Sequence, residues 1–157
     1  MDALREDTAR ESDLPGIEAL VREAYEPYVE RIGREPGPMR ADYTAIVGEG
    51  RALVLRRAGR VVALLVTSVH PDHLLIENIA VAASERGNGL GTRLLAVADD
   101  LARAAGVAEV RLYTHVMMTE NLRYYPRRGF RETGRRVDDG FERVFFSRTV
   151  PSQDVPS

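Results

Sequence analysis

The chain of 157 residues contains no cysteine, no lysine and no tryptophan. The absence of cysteine excludes disulfides, cysteine-ligated metal sites and any mechanism that passes through an acyl-cysteine. The absence of lysine excludes a Walker A phosphate loop, which needs a lysine side chain, and any Schiff-base mechanism. Only three histidines are present and they are scattered along the chain, so we expect no metal site.

Long apolar runs and a strong net charge are also missing. No apolar stretch is long enough to cross a membrane, and because the N-terminal residues are charged we expect no secretory signal. The formal net charge of −2 argues against a dedicated nucleic-acid binder. We therefore expect a cytoplasmic protein whose partners include neither a membrane nor a nucleic acid.

The length of the chain suits a single domain, which we place at residues 1–150, followed by a polar tail at 151–157 that we expect to be disordered. Apolar periodicity predicts hairpins on either side of one βαβ unit at residues 74–115. The expected fold class is therefore mixed α/β. Within the first predicted helix, Pro27 is expected to break or bend the chain.

A glycine-rich loop, Arg-Gly-Asn-Gly-Leu-Gly at residues 86–91, follows a predicted strand and opens a predicted helix. The first N–H groups of a helix lack intrahelical partners and the helix dipole adds positive charge, so such a loop can hold an anion. Arg86 can bind phosphate with two hydrogen bonds, and Asn88 tolerates a left-handed backbone. The expected ligand is a phosphate or pyrophosphate group.

Three interpretations of this loop are open. It could be a tight structural turn, or the phosphate-binding turn of a dinucleotide fold. The dinucleotide fingerprint needs glycine at its sixth position, where this chain has Thr92. The third interpretation takes in the residues that flank the loop.

The loop is similar to the Arg/Gln-x-x-Gly-x-Gly/Ala signature of the GNAT acetyltransferases. The resemblance extends upstream to Glu-Asn-Ile-Ala-Val at 77–81 and downstream to Tyr-Pro-Arg-Arg-Gly-Phe at 125–130. The chain resembles a bacterial branch of this family. The resemblance implies a GNAT-like, mainly antiparallel sheet with a central βαβ unit and splayed parallel strands.

The resemblance also implies acetyl-CoA as co-substrate, without a metal. In the family, backbone groups of the strand before the loop pair with the pantetheine, and one amide there can polarise the thioester carbonyl. In this sequence the pantetheine positions are Ile79, Ala80 and Val81. The implied pyrophosphate positions are Arg86, Gly87, Asn88, Gly89, Gly91 and Thr92.

Tyr125 stands four residues before Gly129, where the family has the tyrosine that gives a proton to the departing CoA thiolate. The alternative for a tyrosine here is core packing, which suits the neighbouring Tyr124 better. Asn121 lies one helical turn earlier and either contacts CoA or caps the backbone. Pro126 is expected to disfavour the α conformation at Tyr125.

Glu77 is the candidate for the base that accepts the amine proton. Strand alternation places Glu77, Ile79 and Val81 on one face, where a charged residue is unusual unless that face borders a cleft. The alternative is a solvated or salt-bridged glutamate. His115, at the end of the next strand, is a second candidate with a structural alternative of its own.

The family places the acceptor pocket around the first helices, where Tyr28, Arg31, Met39 and Tyr43 lie; ordinary packing and a salt bridge are the alternative. We predict an N-acetyltransferase that moves the acetyl group directly to a primary amine of a small molecule or peptide. The alternatives are a non-catalytic acyl-CoA-binding or sensing module and a nucleotide-binding module. Exposed edges of the C-terminal hairpin are compatible with a homodimer.

Overall fold

The computed structural model describes residues 3–151, which contain seven β-strands and five α-helices. They divide into two compact units. The first contains the chain up to Ser68 together with Ile76–Leu94, and the second contains Val69–Leu75 and the chain from Leu95 onward. The single domain at 1–150 stays a prediction, and residues 152–157 of the predicted tail lie outside the described residues.

The first unit contains three successive antiparallel strands and the N-terminal helices. β1 pairs with β2, and β2 pairs with β3 through a register shift after Leu55. β4 and α4 each begin in one unit and end in the other. The elements are β1 (Leu4–Thr8), α1 (Leu14–Ile32), α2 (Gly37–Arg40), α3 (Tyr43–Gly48), β2 (Ala52–Arg57), β3 (Arg60–Val69), β4 (His73–Val81) and α4 (Leu90–Ala104).

α1 shows how the sequence forms a half-buried helix. Pro15 suits the first turn, where a missing N–H costs nothing, and Ile17 and Tyr25 lie at the ends of the buried stripe. Of the two expected effects of Pro27, a break is ruled out because α1 continues to Ile32, and a bend stays a prediction. Proline removes only one N–H bond, and a helix of 19 residues whose buried stripe precedes the proline retains its other bonds.

The second unit contains β5 (Glu109–His115), α5 (Thr119–Tyr124), β6 (Arg131–Asp138) and β7 (Phe141–Thr149). β7 lies between β5 and β6 and is antiparallel to both. One face of β5 and β7 is buried, whereas every residue of β6 is exposed. A single 3-10 turn at Pro126–Arg128 connects α5 to β6.

The described strands form a seven-stranded, mainly antiparallel sheet, which confirms the mixed α/β class. Fully buried apolar side chains include Val54 and Leu64 in the first unit and Val110 and Val144 in the second. Within residues 3–151 no helix is long and apolar enough to span a membrane.

Candidate functional site

The glycine loop connects β4 to α4 and presents its backbone to solvent. Gly87 has a φ of +82° and Gly89 a φ of +76°, in the left-handed region that favours glycine. A Cβ atom at either position would meet no heavy atom within 4 Å. Glycine is therefore required by the backbone conformation and not by a lack of room for a side chain. Gly91 lies in the first turn of α4 without a positive φ. The loop therefore offers exposed amides at the start of a helix.

The buried carboxylate of Glu85 holds this loop in place. Arg57 on β2 donates from Nε and Nη2 to its two oxygens, both at 3.0 Å, and Asn88 donates from Nδ2 at 3.2 Å. The bonds from Arg57, and then the bond from Asn88, keep the pKa of Glu85 below its usual range. Because Arg57 neutralises Glu85, the pair presents no net charge to an anion on the loop.

The residues present fit a phosphate or pyrophosphate group. Arg86 is exposed beside the two left-handed glycines, and the first N–H groups of α4 face outward from the helix end. Thr92 is also exposed in the first turn of α4. Among residues 3–151, no three His, Asp or Glu side chains gather closely enough to hold a metal ion.

The side chains of β4 alternate between two faces of the strand, as the sequence predicts. Glu77, Ile79 and Val81 are half-buried on one face, whereas Asn78 and Ala80 are buried on the other. The half-buried face therefore carries the candidate base and two of the three candidate pantetheine positions, Ile79 and Val81, whereas Ala80 lies on the buried face.

Glu77 is part of an ion pair. Its Oε2 accepts a hydrogen bond from Arg51 Nη1 at 2.6 Å. Arg51 also donates from Nε to Glu49 at 2.9 Å and from Nη1 to the carbonyl of Thr67 at 3.3 Å. Glu77 thus forms the salt bridge that was the alternative to its role as a base. Arg51 holds one of the two carboxylate oxygens of Glu77.

The opposite face of β4 carries a buried polar network that the sequence analysis missed. Tyr25 donates from its hydroxyl to Asn78 Oδ1 at 2.5 Å, and this hydroxyl also lies 3.2 Å from the carbonyl oxygen of Ile79. Asn78 donates to the hydroxyl of Tyr43 at 2.8 Å, and Tyr43 donates to the carbonyl of Pro38. A polar asparagine between apolar β4 neighbours was the signal that could have indicated this network.

The four candidate acceptor residues lie in different environments. Tyr28 and Arg31 are one helical turn apart, and the guanidinium carbon lies 5.1 Å from the ring centroid. Met39 is half-buried in α2. Tyr43 is buried, with its hydroxyl occupied by Pro38 and Asn78. A role for these residues in binding an acceptor stays a prediction.

Tyr125 lies in the second unit, 5% exposed, with its ring against the rings of Tyr124, Phe130 and Phe146. The expectation that Pro126 would disfavour the α conformation is wrong, since Tyr125 has φ −66° and ψ −42°. Pro126 begins the 3-10 turn, where a missing N–H is tolerated. The chain therefore remains helical through Tyr125.

Asn121 and His115 both have local partners. Asn121 donates from Nδ2 to Thr114 Oγ1 at 3.0 Å, which ties α5 to β5. His115 accepts at Nδ1 from the backbone N–H of Met117 at 3.0 Å. The hydrogen bond at Nδ1 favours the neutral tautomer protonated at Nε2, and the ring meets Phe141 edge to face.

Comparison with known proteins identifies the family. Residues 17–130 match the Acetyltransferase (GNAT) family. The chain belongs to the GNAT family of acetyltransferases. A relative from Azospirillum brasilense named IAA acetyltransferase is 33% identical over 86 residues, which are 54% of this chain and 56% of that protein. The match thus spans about half the length of the curated relative.

Two solved structures show the same fold. The PaiA N-acetyltransferase of Thermoplasma acidophilum, in complex with coenzyme A, has a TM-score of 0.78 at 15% identity and covers 94% of this chain and 99% of its own. The ribosomal-protein-S18-alanine N-acetyltransferase of Escherichia coli has a TM-score of 0.73 at 21% identity and covers 99% of both chains. At these identities the likeness concerns the fold, and it confirms the predicted GNAT-like architecture.

Proposed function

We propose that this GNAT-family chain is an acetyl-CoA-dependent N-acetyltransferase that moves the acetyl group directly to a primary amine of a small molecule or peptide. The observation that carries the proposal is the exposed loop before α4, in which two left-handed glycines flank Asn88, and Asn88 is bound to the Glu85–Arg57 pair. The coenzyme A in the PaiA structure and the N-acetyltransferase activities named for both structural neighbours support it.

The proposed donor site uses the loop and β4. Arg86 would bind the pyrophosphate by charge, and the amides of Gly87, Gly89 and Gly91 would bind it by hydrogen bonds, whereas the Asn88 amide donates to the carbonyl of Glu85 at 3.2 Å. The backbone of Ile79 to Val81 would pair with the pantetheine. Acetyl-CoA supplies the thioester, and an amide of this β4 stretch would stabilise negative charge on its carbonyl oxygen.

The proposed proton transfers use Glu77 and Tyr125. The amine must be neutral to attack the carbonyl carbon, so Glu77 would accept its proton directly or through water. As the N–C bond forms and the C–S bond breaks, the Tyr125 hydroxyl would give its proton to the sulfur. Asn121 would contact CoA through the side of its amide that does not bind Thr114.

One observation favours a second candidate, a non-catalytic acyl-CoA-binding or sensing module. Arg51 binds the candidate base at 2.6 Å, as expected for a structural ion pair. Such a module would bind acyl-CoA at the same donor site but would not transfer the acyl group. A cytoplasmic location and a homodimer also stay proposals from the sequence.

Calorimetric titration of the full chain with acetyl-CoA, CoA, NAD and ATP tests the donor site. We expect binding selective for acetyl-CoA and CoA, followed by release of free thiol when an amine library is added. Selective binding without thiol release from any amine would support the sensing module. Preference for NAD or ATP would overturn both candidates.

A further inference from the structure

A groove of about 630 Å³ lies in the second unit, on the face of β5 and β7 opposite their buried side. Its walls include Leu75, Tyr113 and Phe145 among apolar residues and Arg111, Arg136 and Arg143 among charged ones. None of the roles proposed above uses this groove.

The strand register explains why the groove is open. Phe145 on β7 lies between Tyr113 on β5 and Gly134 on β6. Gly134 has no side chain, and a Cβ there would meet no heavy atom within 4 Å. Its φ is not positive, so the backbone does not require glycine at this position. The row of cross-strand neighbours Tyr113, Phe145 and Gly134 therefore ends in a gap beside the Phe145 ring, where a side chain at position 134 would lie.

Two guanidiniums border this gap. The Arg136 guanidinium carbon lies 4.1 Å from the centroid of Phe145, and that of Arg143 lies 4.4 Å from the centroid of Tyr113. Stacking against a ring leaves the N–H edges of a guanidinium available to bind a carboxylate. The rings thus orient the cations without using their hydrogen-bond donors.

Arg136 differs from its neighbours in its charge partners. Arg143 pairs with Asp138 at 2.8 Å, and Arg111 pairs with Glu109 at 2.8 Å. Within the part of the chain that the structure describes, no carboxylate lies within ion-pair distance of Arg136. The anion that would neutralise Arg136 is therefore not supplied by residues 3–151.

Arg136 is the lining arginine whose charge the described residues do not balance. Four arginines and two carboxylates line the groove, and two further carboxylates lie beside it, Glu132 paired with Arg135 and Asp72 paired with Arg111. A guanidinium without a carboxylate partner beside half-buried aromatic rings matches a ligand with one anionic group and an apolar body.

We propose that this groove binds the carboxylate of a small organic acid, with the carboxylate on the Arg136 guanidinium and the apolar body in the gap left by Gly134. The proposal depends on the second unit alone and is independent of acetyl transfer. It predicts a ligand site that is measurable on the full chain without acetyl-CoA.

Benzoate and its neutral isostere benzamide are suitable probes, followed by amide chemical shifts of the ¹⁵N-labelled full chain. We expect benzoate to shift amides of β5, β6 and β7 saturably, and benzamide to bind at least about tenfold more weakly, because hydrogen bonds to charged groups are the stronger ones. Arg136→Gln should weaken benzoate binding about tenfold.

Two further variants make the test specific. Arg131→Gln removes an exposed arginine of the same strand that does not line the groove, and it should leave benzoate binding unchanged. Gly134→Val should fill the gap and abolish binding while the spectrum stays folded. Equal binding of benzoate and benzamide, shifts confined to other strands, or full binding by Arg136→Gln would overturn the proposal.

Discussion

The side-chain amide of Asn78 donates a hydrogen bond to the hydroxyl of Tyr43 at 2.8 Å. Both residues are buried, and Asn78 also accepts from Tyr25. Burial raises the pKa of Tyr43 to about 12, so its hydroxyl stays protonated and donates to the carbonyl of Pro38. The network therefore ties α1, the residues around α2 and α3, and β4 together directly behind Ile79.

Tyr43→Phe should lower the free energy of unfolding by about 1–3 kcal/mol, because the buried Asn78 amide loses its acceptor. Urea denaturation measures this loss. The matched control is Tyr113→Phe, in which a half-buried tyrosine of β5 loses its hydroxyl, and we expect a change within about 0.5 kcal/mol. Equal losses in the two variants would contradict a structural role for the network.

The buried pair Asp13–Arg56 should make stability depend on pH. Arg56 donates to both Asp13 oxygens, at 3.0 and 2.6 Å, and these bonds lower the pKa of Asp13. A lowered carboxyl pKa stabilises the fold at neutral pH, and this contribution is lost as the pH falls below about 4 through the lowered value.

Asp13→Asn should therefore destabilise the protein at pH 7 by up to about 3–5 kcal/mol and by much less at acid pH, measured by denaturation over a pH series. Asp7→Asn is the control, since Asp7 pairs with the same arginine but is 54% exposed, and we expect about 0–1 kcal/mol. A difference between wild type and Asp13→Asn that does not change with pH would contradict the prediction.

Glu77→Gln should lower kcat by about 10²–10⁴-fold if Glu77 accepts the amine proton, while acetyl-CoA affinity stays unchanged. Glu49→Gln is the control because Glu49 binds the same arginine from an exposed position. Steady-state kinetics with calorimetry separates the two effects. An unchanged kcat in Glu77→Gln would show that Glu77 is not the base and that its role is limited to the ion pair with Arg51.

Tyr125→Phe should also lower kcat by about 10²–10⁴-fold, because the thiolate loses its proton donor, and acetyl-CoA binding should remain nearly intact. The neighbouring Tyr124→Phe provides the control and should keep its activity. The ring of Tyr125 packs against Phe130 and Phe146, and phenylalanine preserves that packing. Full activity of Tyr125→Phe would remove the residue from the mechanism.

Gly89→Ala should weaken acetyl-CoA binding by about 5–30-fold. Alanine in the left-handed backbone conformation costs about 1–2 kcal/mol. The loop of the free variant would therefore adopt another conformation, and the cost of restoring the left-handed one would weaken binding by that amount. Gly91→Ala, in the first turn of α4, should bind with little change. Similar losses in both variants would indicate a steric role for the missing side chains.

Much of the fold could be predicted from local pattern. Alternation in β4 and the glycines before α4 placed Glu77 and the loop on the correct elements, because strand and helix periods are properties of neighbouring residues. The same local reasoning overestimated the effect of two prolines on helical conformation. At Pro27 and Pro126 the surrounding chain kept its helical conformation, since the loss of one N–H is small against the remaining bonds and packing.

The sequence by itself determined the element types, the absence of cysteine and lysine chemistry, and an exposed glycine loop at a helix start. Only the tertiary structure decided which charges meet. Arg51 and Glu77 are 26 residues apart, Arg57 and Glu85 are 28 apart, and Asp13 and Arg56 are 43 apart. With 22 arginines and 24 acidic residues, the sequence allows many pairings. Burial and strand register select among them, because an ion pair forms only where folding brings two side chains within a few ångströms.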